Sequence, residues 1–282
     1  MKISLLNSLV FISLVCVLAH PAAAASLSDV IKTLETPFQH ATGATERIND
    51  YDAEFFQESR IASLDRLQRA RGQVSVAFDY RIPGQVPTVL FRWQYEEPTN
   101  QEMVSDGKTL WVYLPENNQV IQSDIELVNQ ARQNDPMTFL TGLGNLSRDF
   151  QIRWAQPNFD IDGNYVLELT PRKSSALINR LLIVVDRLAV EAYLQRQQGE
   201  TPTPVPAKPD RAKDLPAFDE GFQVEGAWFP ILSTSVYDPN GNSTIIEFSN
   251  IRVNTGVPRT KFNFMMPAGV QVVRPTGKEM GF

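Results

Sequence analysis

The stretch FRWQYEEPTNQEMVSDGKTLWVYLPENNQVIQSD, residues 91–124, decides the fold of this chain. Apolar and polar residues alternate along it between turn residues, a pattern that predicts the strands of an antiparallel meander. Asp106-Gly107 is the strongest hairpin signal, because a type I′ turn needs positive φ at both central residues. The strand that follows, at 108–114, is apolar on both faces. We therefore expect something to cover each face of the sheet here.

Composition predicts a folded chain that does not bind nucleic acid. The 282 residues are 43% hydrophobic and 21% charged, which is enough apolar material for one large domain or two small ones. The net charge is −6 and the sequence contains no basic run. Both features disfavour nucleic acid and an anionic lipid surface as partners.

Residues 1–25 are typical of a cleavable secretory signal peptide. A lysine precedes an apolar stretch, and the alanines at 22–25 offer cleavage sites. A membrane anchor is the alternative, but the apolar stretch is short and is interrupted by Ser and Asn. Val15 precedes Cys16, where a lipoprotein signal would need a small residue. We expect the mature chain, 26–282, to be a single cysteine-free domain in the periplasm.

An amphipathic helix is predicted at 26–40. Ser26 is a candidate N-cap, and Asp29 follows in the first turn. Apolar residues at helical spacing form a stripe that must be buried. The members of this stripe are Val30, Ile31, Leu34 and Phe38. The spacing leaves two interpretations open, ordinary packing against the sheet or a lid over a cavity.

A second, weaker helix is predicted after Pro136. Gly142 and Gly144 each weaken it by about 1 kcal/mol relative to alanine. A weak helix with an apolar face suits a movable cover, and it also suits a loosely packed connection. The apolar residues at helical spacing are Phe139, Leu140, Leu143 and Leu146.

The rest of the chain predicts further strands and one surface insertion. Residues 59–73 are compatible with a long loop, a short helix or a strand extension. Residues 199–217 carry five prolines and predict a solvated insertion, either a tolerated loop or a partner-binding segment. About ten strands and two helices predict one antiparallel sheet, curved enough to be a barrel or half-barrel. The additional strands are expected at 48–57, 74–80, 150–154, 165–170, 180–185, 228–237 and 243–248.

Most catalytic and metal-site chemistry lacks its residues in the mature chain. His40 is its only histidine and it contains no cysteine, which excludes thiolate and multi-histidine metal sites. No nucleophile elbow, phosphate loop or dinucleotide fingerprint occurs. Paired carboxylates such as Asp160 with Asp162 could serve a glycosidase, but they lie in turn-like stretches typical of surface acids. We expect no enzyme activity, no metal and no cofactor.

The sequence resembles the periplasmic outer-membrane lipoprotein carrier (LolA) family over most of the mature chain. SDGKTLW at 105–111 is the most specific segment. The other segments support the resemblance together, because they occur in the same order along the chain as in the family. Those segments are YDAEFFQ (51–57), FRWQYEEP (91–98), PMTFLTGLGNL (136–146), DPNGNSTIIEFSNIRVN (238–254) and FNFMMPAGVQVV (262–273).

The resemblance implies a mainly β (α+β) fold. A strongly curved antiparallel sheet would form an incomplete barrel, with helices covering its concave face. An apolar cavity would hold the acyl chains of a lipoprotein while a monomeric carrier crosses the periplasm. Cargo would come from an inner-membrane ABC-type lipoprotein-releasing complex and pass to an outer-membrane lipoprotein acceptor. The same fold binding or sensing another lipid of the cell envelope is the alternative, and a secreted hydrolase is a third.

The resemblance also implies roles for particular residues. Phe91 and Trp93 match the aromatic pair at the cavity mouth, and Leu34 matches the apolar residue that closes the lid. An arginine latches the lid in the family, and Arg81 and Arg92 compete for that role. The full cavity assignment is Phe78, Phe91, Trp93, Tyr95, Trp111 and Tyr113. The full lid assignment is Ile31, Leu34, Phe38, Phe139, Leu140 and Leu143.

Overall fold

A computed structural model describes residues 25–82, 86–125, 143–175, 178–201 and 228–275. Almost all of the predicted signal peptide lies outside these residues, as does most of the proline-rich insertion. Phe139 and Leu140 of the predicted lid also lie outside them. None of the helices within the described ranges is both long and apolar enough to cross a membrane.

Within the described residues, twelve strands form one sheet, in the order β12-β6-β5-β4-β3-β2-β1-β11-β10-β9-β8-β7. Neighbouring strands run antiparallel except β12, which lies parallel to β6 at one edge. The prediction of a mainly β fold built on a large curved antiparallel sheet is confirmed. The strands are β1 Asp50–Ile61, β2 Arg66–Asp79, β3 Thr88–Glu97, β4 Gln101–Ser105, β5 Thr109–Leu114, β6 Gln119–Asp124, β7 Phe150–Phe159, β8 Tyr165–Pro171, β9 Arg180–Val185, β10 Ile231–Tyr237, β11 Ser243–Val253 and β12 Gln271–Val273.

Residues 59–73, for which the sequence left three possibilities, extend two strands. β1 continues to Ile61 and β2 begins at Arg66, joined by a 3-10 turn at Ala62–Leu64. Charged residues face each other across this ribbon, and the Arg69 Nε lies 2.8 Å from Glu58 Oε2. Such cross-strand pairs stabilise a sheet modestly, so a highly charged stretch can still be a strand.

Helix α1, Leu27–Glu35, begins where its capping residues predict. The Asp29 amide donates to Ser26 Oγ over 3.2 Å, and the Ser26 amide donates to Asp29 Oδ2 over 3.0 Å. These reciprocal bonds satisfy amides that have no partner inside the helix. A 3-10 turn at Thr36–Phe38 continues the apolar stripe.

The described residues contain two further α-helices. A 3-10 turn at Leu143–Asn145 leads into the short α2, Leu146–Asp149, at the end of the predicted second helix. Helix α3, Arg187–Gln197, was not predicted. It packs beside α1. Its N-cap is Asp186, whose carboxylate accepts from the Leu188 amide over 2.9 Å.

Candidate functional site

Aromatic side chains from several strands lie on one face of the sheet. Residues paired directly across antiparallel strands point to the same side. Tyr51 and Phe91 both pair with Val76, and Trp93 lies two residues beyond Phe91 on β3. We call this side the aromatic face; its aromatic residues are Tyr51, Phe55, Phe78, Phe91, Trp93, Tyr95 and Phe248.

The aromatic face is buried and closely packed. Trp93 is 1% exposed and Phe91 is 8% exposed. The Phe55 and Trp93 ring centroids lie 4.6 Å apart, and Phe248 meets Trp93 edge-on at 6.3 Å. Aromatic groups at these separations stabilise one another beyond the area they bury. This face therefore provides an extended apolar surface.

Helix α1 buries its apolar stripe in the same cluster. Val30, Leu34 and Phe38 are each at most 1% exposed. The Phe38 ring lies 5.2 Å from Phe78 on β2. Leu143 is buried in this cluster too, and Ile31 packs against it while staying half-buried. The described residues of the predicted lid thus join the predicted cavity residues Phe78, Phe91 and Trp93.

Polar contacts tie α1 and its 3-10 turn to the segment at 143–149. Glu35 Oε1 accepts from the Ser147 amide over 2.6 Å. Gln39 Nε2 donates to the Gly144 carbonyl over 3.4 Å. A Cβ at Gly144 would lie only 2.8 Å from the Phe38 carbonyl oxygen, so glycine allows the close approach.

Trp111 and Tyr113 lie on the opposite side of the sheet, which corrects their expected placement beside Phe91 and Trp93. Trp111 pairs with Val104, and Val104 pairs with Arg92, whose neighbours on β3 point to the aromatic face. The Trp111 ring stacks on Phe264 at 5.8 Å, and Tyr113 lies 6.4 Å from the same ring. We call this side, marked by Trp111, Tyr113 and Arg92, the outer face.

Both candidate latch arginines bind groups away from α1. On the outer face, Arg92 lies 2.9 Å from Glu102 and donates to the Asn263 carbonyl over 3.2 Å. Neither of these partners belongs to the described part of the predicted lid. Arg81 binds Asp79, which also pairs with Arg259 at 3.1 Å. These contacts connect Arg81 with the C-terminal segment rather than with the helix.

The Asp79 carboxylate is bound by two arginines, Arg81 and Arg259. Its side chain is 6% exposed. Hydrogen bonds from Arg81 lower the pKa of Asp79 below its usual value, burial opposes that effect, and Arg259 lowers the pKa further. Asp79 therefore stays ionised and joins the end of β2 to the C-terminal segment.

The remaining predicted cavity residue, Tyr95, lies on the aromatic face with a partner. Its hydroxyl donates to Gln57 Oε1 over 2.9 Å, and its ring meets Phe55 edge-on at 5.1 Å. The site assignment missed Tyr51, Phe55, Phe229 and Phe248. Tyr51 and Phe55 alternate with acidic residues along β1, so the period-two pattern already placed them on one face.

Three buried side-chain polar atoms within the described ranges have no hydrogen-bond partner: Tyr51 Oη, Trp93 Nε1 and Arg92 Nε. Burial raises the pKa of the Tyr51 hydroxyl far above its usual value, so that hydroxyl stays protonated. The described residues contain no group of three or more His, Cys, Asp or Glu that could hold a metal ion. The aromatic face is thus apolar and carries two hydrogen-bond donors without a partner among the described residues, the Tyr51 hydroxyl and the Trp93 indole N–H.

Comparisons with known proteins agree with the motifs. The family model described as outer membrane lipoprotein carrier protein LolA matches residues 46–193. An outer-membrane lipoprotein carrier protein of Bordetella avium (strain 197N) is 26% identical over 253 residues, covering 90% of each chain. That of Bordetella pertussis (strain Tohama I) is 27% identical over 256 residues, covering 91% of this chain and 90% of its own. A LolA superfamily protein from Nitrosomonas europaea has a crystal structure that aligns with a TM-score of 0.38 at 15% identity, covering 86% of this chain and 99% of that one.

Proposed function

The chain belongs to the outer membrane lipoprotein carrier protein LolA family, and on that premise we propose that it is a periplasmic carrier of lipoproteins. The carrier binds the acyl chains of its cargo on the aromatic face and moves lipoproteins from the inner to the outer membrane. The relatives named as lipoprotein carriers, which align over most of their own length, support this proposal.

The observation that carries the proposal is the burial of the α1 stripe against the aromatic face. Leu34 of the helix and Trp93 of the sheet belong to one apolar cluster. Each methylene group kept out of water is worth about 0.8 kcal/mol, so an acyl chain of ordinary length cannot cross water uncovered. A helix that covers such a face is a suitable device to shield these chains.

In this proposal α1 acts as a lid. Its apolar stripe occupies the aromatic face of the unloaded protein, and incoming acyl chains replace it. The helix spans nine residues, too few to be stable alone in water, so it depends on packing. Two polar contacts hold it to the segment at 143–149, through Glu35 and Gln39. Opening must break these polar contacts and expose the buried stripe, and acyl chains that take its place on the aromatic face restore that burial.

The partners follow from the family and the expected export. The predicted signal peptide at 1–25 directs the chain to the periplasm, where it acts as a monomer without enzymatic activity. It receives cargo from an inner-membrane ABC-type releasing complex and delivers it to an outer-membrane acceptor. The identity of the lipid that co-purifies with the protein is the sharpest test of this proposal.

Mass spectrometry of protein purified from a periplasmic extract tests the function. We expect a co-purified triacylated lipoprotein with the wild type. Phe91→Glu should lose it, because a charge on the aromatic face must be desolvated when acyl chains bind. The matched control is Trp111→Glu, which places the same charge on the outer face and should retain the cargo. Thermal unfolding of both variants checks that each is folded.

The result distinguishes the carrier from its alternatives. A free phospholipid as the sole bound lipid would contradict the lipoprotein carrier and favour another lipid of the envelope. Equal retention of lipoprotein by the two folded variants would mean that the aromatic face is not the binding surface.

A further inference from the structure

Two buried donors on the aromatic face have no partner within the described part of the chain. They are the Tyr51 hydroxyl and the Trp93 indole N–H. The side chains are 0% and 1% exposed. Buried polar groups are almost always hydrogen-bonded, because leaving one unpaired forfeits its hydration without return. Two such groups on one face therefore call for an explanation.

Neighbouring tyrosines of the same region do have partners. The Tyr80 hydroxyl donates to the Ile48 carbonyl over 2.8 Å. The Tyr95 hydroxyl donates to Gln57 over 2.9 Å. The fold can thus satisfy a tyrosine hydroxyl in this region. Among the described residues of the aromatic face, the lack of a hydrogen-bond partner is therefore specific to Tyr51 and Trp93 and is not shared by the neighbouring tyrosines.

The two donors lie on the same face of the sheet and in the same apolar cluster. Tyr51 and Phe91 flank Val76 on the same face, and Trp93 lies two residues further along β3. Strand spacing puts the Tyr51 and Trp93 Cα atoms about 12 Å apart, and both side chains project into the same cluster.

The chemistry of the donors selects an acceptor embedded in an apolar ligand. An indole N–H can only donate, and a protonated phenol surrounded by apolar groups is satisfied by an acceptor. The tail of an acyl chain carries no acceptor, but the carbonyl oxygen at its head does. Building on the proposed function, we propose that Tyr51 and Trp93 donate hydrogen bonds to the ester and amide carbonyl oxygens of the cargo's acyl chains.

The proposal makes stability and affinity move in opposite directions in Tyr51→Phe. The variant removes an unpaired hydroxyl, so the unliganded protein should melt about 2–4 °C higher. It also removes a donor to the ligand, so affinity should fall about tenfold. Tyr80→Phe is the matched control, because it loses the bond to Ile48 inside the protein. It should melt lower and bind as the wild type does.

Ligand chemistry isolates the carbonyl contact. The probes are a synthetic triacylated lipopeptide with two ester linkages and an analogue with two alkyl ethers in their place. The wild type should bind the ester form about tenfold more tightly, and Tyr51→Phe should lose most of that preference. Trp93→Phe, checked for folding by its melting curve, should also reduce the preference.

Each outcome has one interpretation. An unchanged ester preference in Tyr51→Phe and Trp93→Phe overturns the inference and leaves the carrier function intact. Failure of the wild type to bind either lipopeptide overturns the carrier function, and the inference with it. A diacyl and a dialkyl phosphatidylethanolamine, tested in parallel, separate the two sources of ester carbonyls. Ester preference confined to the phospholipid would overturn the assignment to lipoprotein cargo.

Discussion

Leu34→Ala tests whether α1 opens separately from the sheet. Leu34 is 0% exposed and lies in the cluster of the aromatic face. Truncating a buried leucine to alanine costs about 2.7–5 kcal/mol, the sum of lost burial and the cavity left behind. If α1 is a lid, the substitution destabilises the closed position of the helix as well as the folded protein as a whole. A cost of about 3 kcal/mol makes opening roughly 100-fold easier.

Native-state hydrogen exchange measures that opening directly. The hydrogen-bonded amides of α1 should exchange roughly 100-fold faster in Leu34→Ala, whereas amides of β2 and β3 should change much less. Leu169→Ala is the control, since Leu169 is also 0% exposed but lies on β8. It should lower global stability without selectively accelerating α1. Easier opening should also tighten the binding of a triacylated lipopeptide, because less closed protein competes with the ligand.

The opposite pattern would refute the reasoning. If Leu34→Ala accelerated exchange in α1, β2 and β3 by the same factor, the helix would unfold only with the whole protein. In that case α1 is ordinary core packing, which is the other interpretation that its spacing allowed.

Two further predictions concern the ion pairs of Asp79 and the close approach of Gly144 to Phe38. Asp79→Asn should destabilise the protein by about 1–2 kcal/mol at pH 7. Arg81 lowers the pKa of Asp79 in the folded state, so this stabilisation is present above the unfolded pKa near 3.9 and is lost as the pH falls through the lower folded value. Urea unfolding at pH 7 and pH 3 should show the difference from wild type shrinking in acid, and a constant difference would contradict the ion pairing. Gly144→Ala should destabilise by about 1–3 kcal/mol, because its Cβ would lie 2.8 Å from the Phe38 carbonyl oxygen; Gly43→Ala, with nothing within 4 Å of its Cβ, should be neutral in the same thermal unfolding assay.

The face on which Trp111 lies could have been predicted from the sequence. Ser105 pairs with Leu110, which leaves four residues in the loop. A two-residue turn would have paired Ser105 with Lys108. Both loops contain an even number of residues. In both cases, even-numbered residues of β5 therefore pair with odd-numbered residues of β4. Trp111 is therefore on the opposite side from Ser105 whichever turn forms.

The preceding turn completes that inference. Tyr95 pairs with Gln101 across a five-residue loop, and the three-residue loop at 98–100 that the sequence indicates would give the same parity. Odd-numbered residues of β3 and β4 share a face in both cases. The order of the strands and the alternation within each thus suffice to separate Trp93 from Trp111.

The partners of the arginines could not be predicted in this way. Arg92 binds Glu102 on the next strand and the carbonyl of Asn263, which is 171 residues away in sequence. Long-range contacts of this kind depend on where the C-terminal segment crosses the outer face, and no local pattern contains that information. Helix α3 was missed for a different reason. Its buried residues are Ala189, Val190 and Ala192, which do not form a stripe of large apolar residues.

The most direct test of the central claim is site-specific photo-crosslinking to cargo in living cells. Phe91 and, separately, Trp111 are replaced by p-benzoylphenylalanine, which reacts with groups in contact with it. The two positions lie on neighbouring parts of one meander but on opposite faces of the sheet. We predict a crosslinked lipoprotein from position 91 and none from position 111. Crosslinks from position 111 alone, or none from either with lipoprotein still bound, would contradict the assignment of the aromatic face as the acyl-chain site.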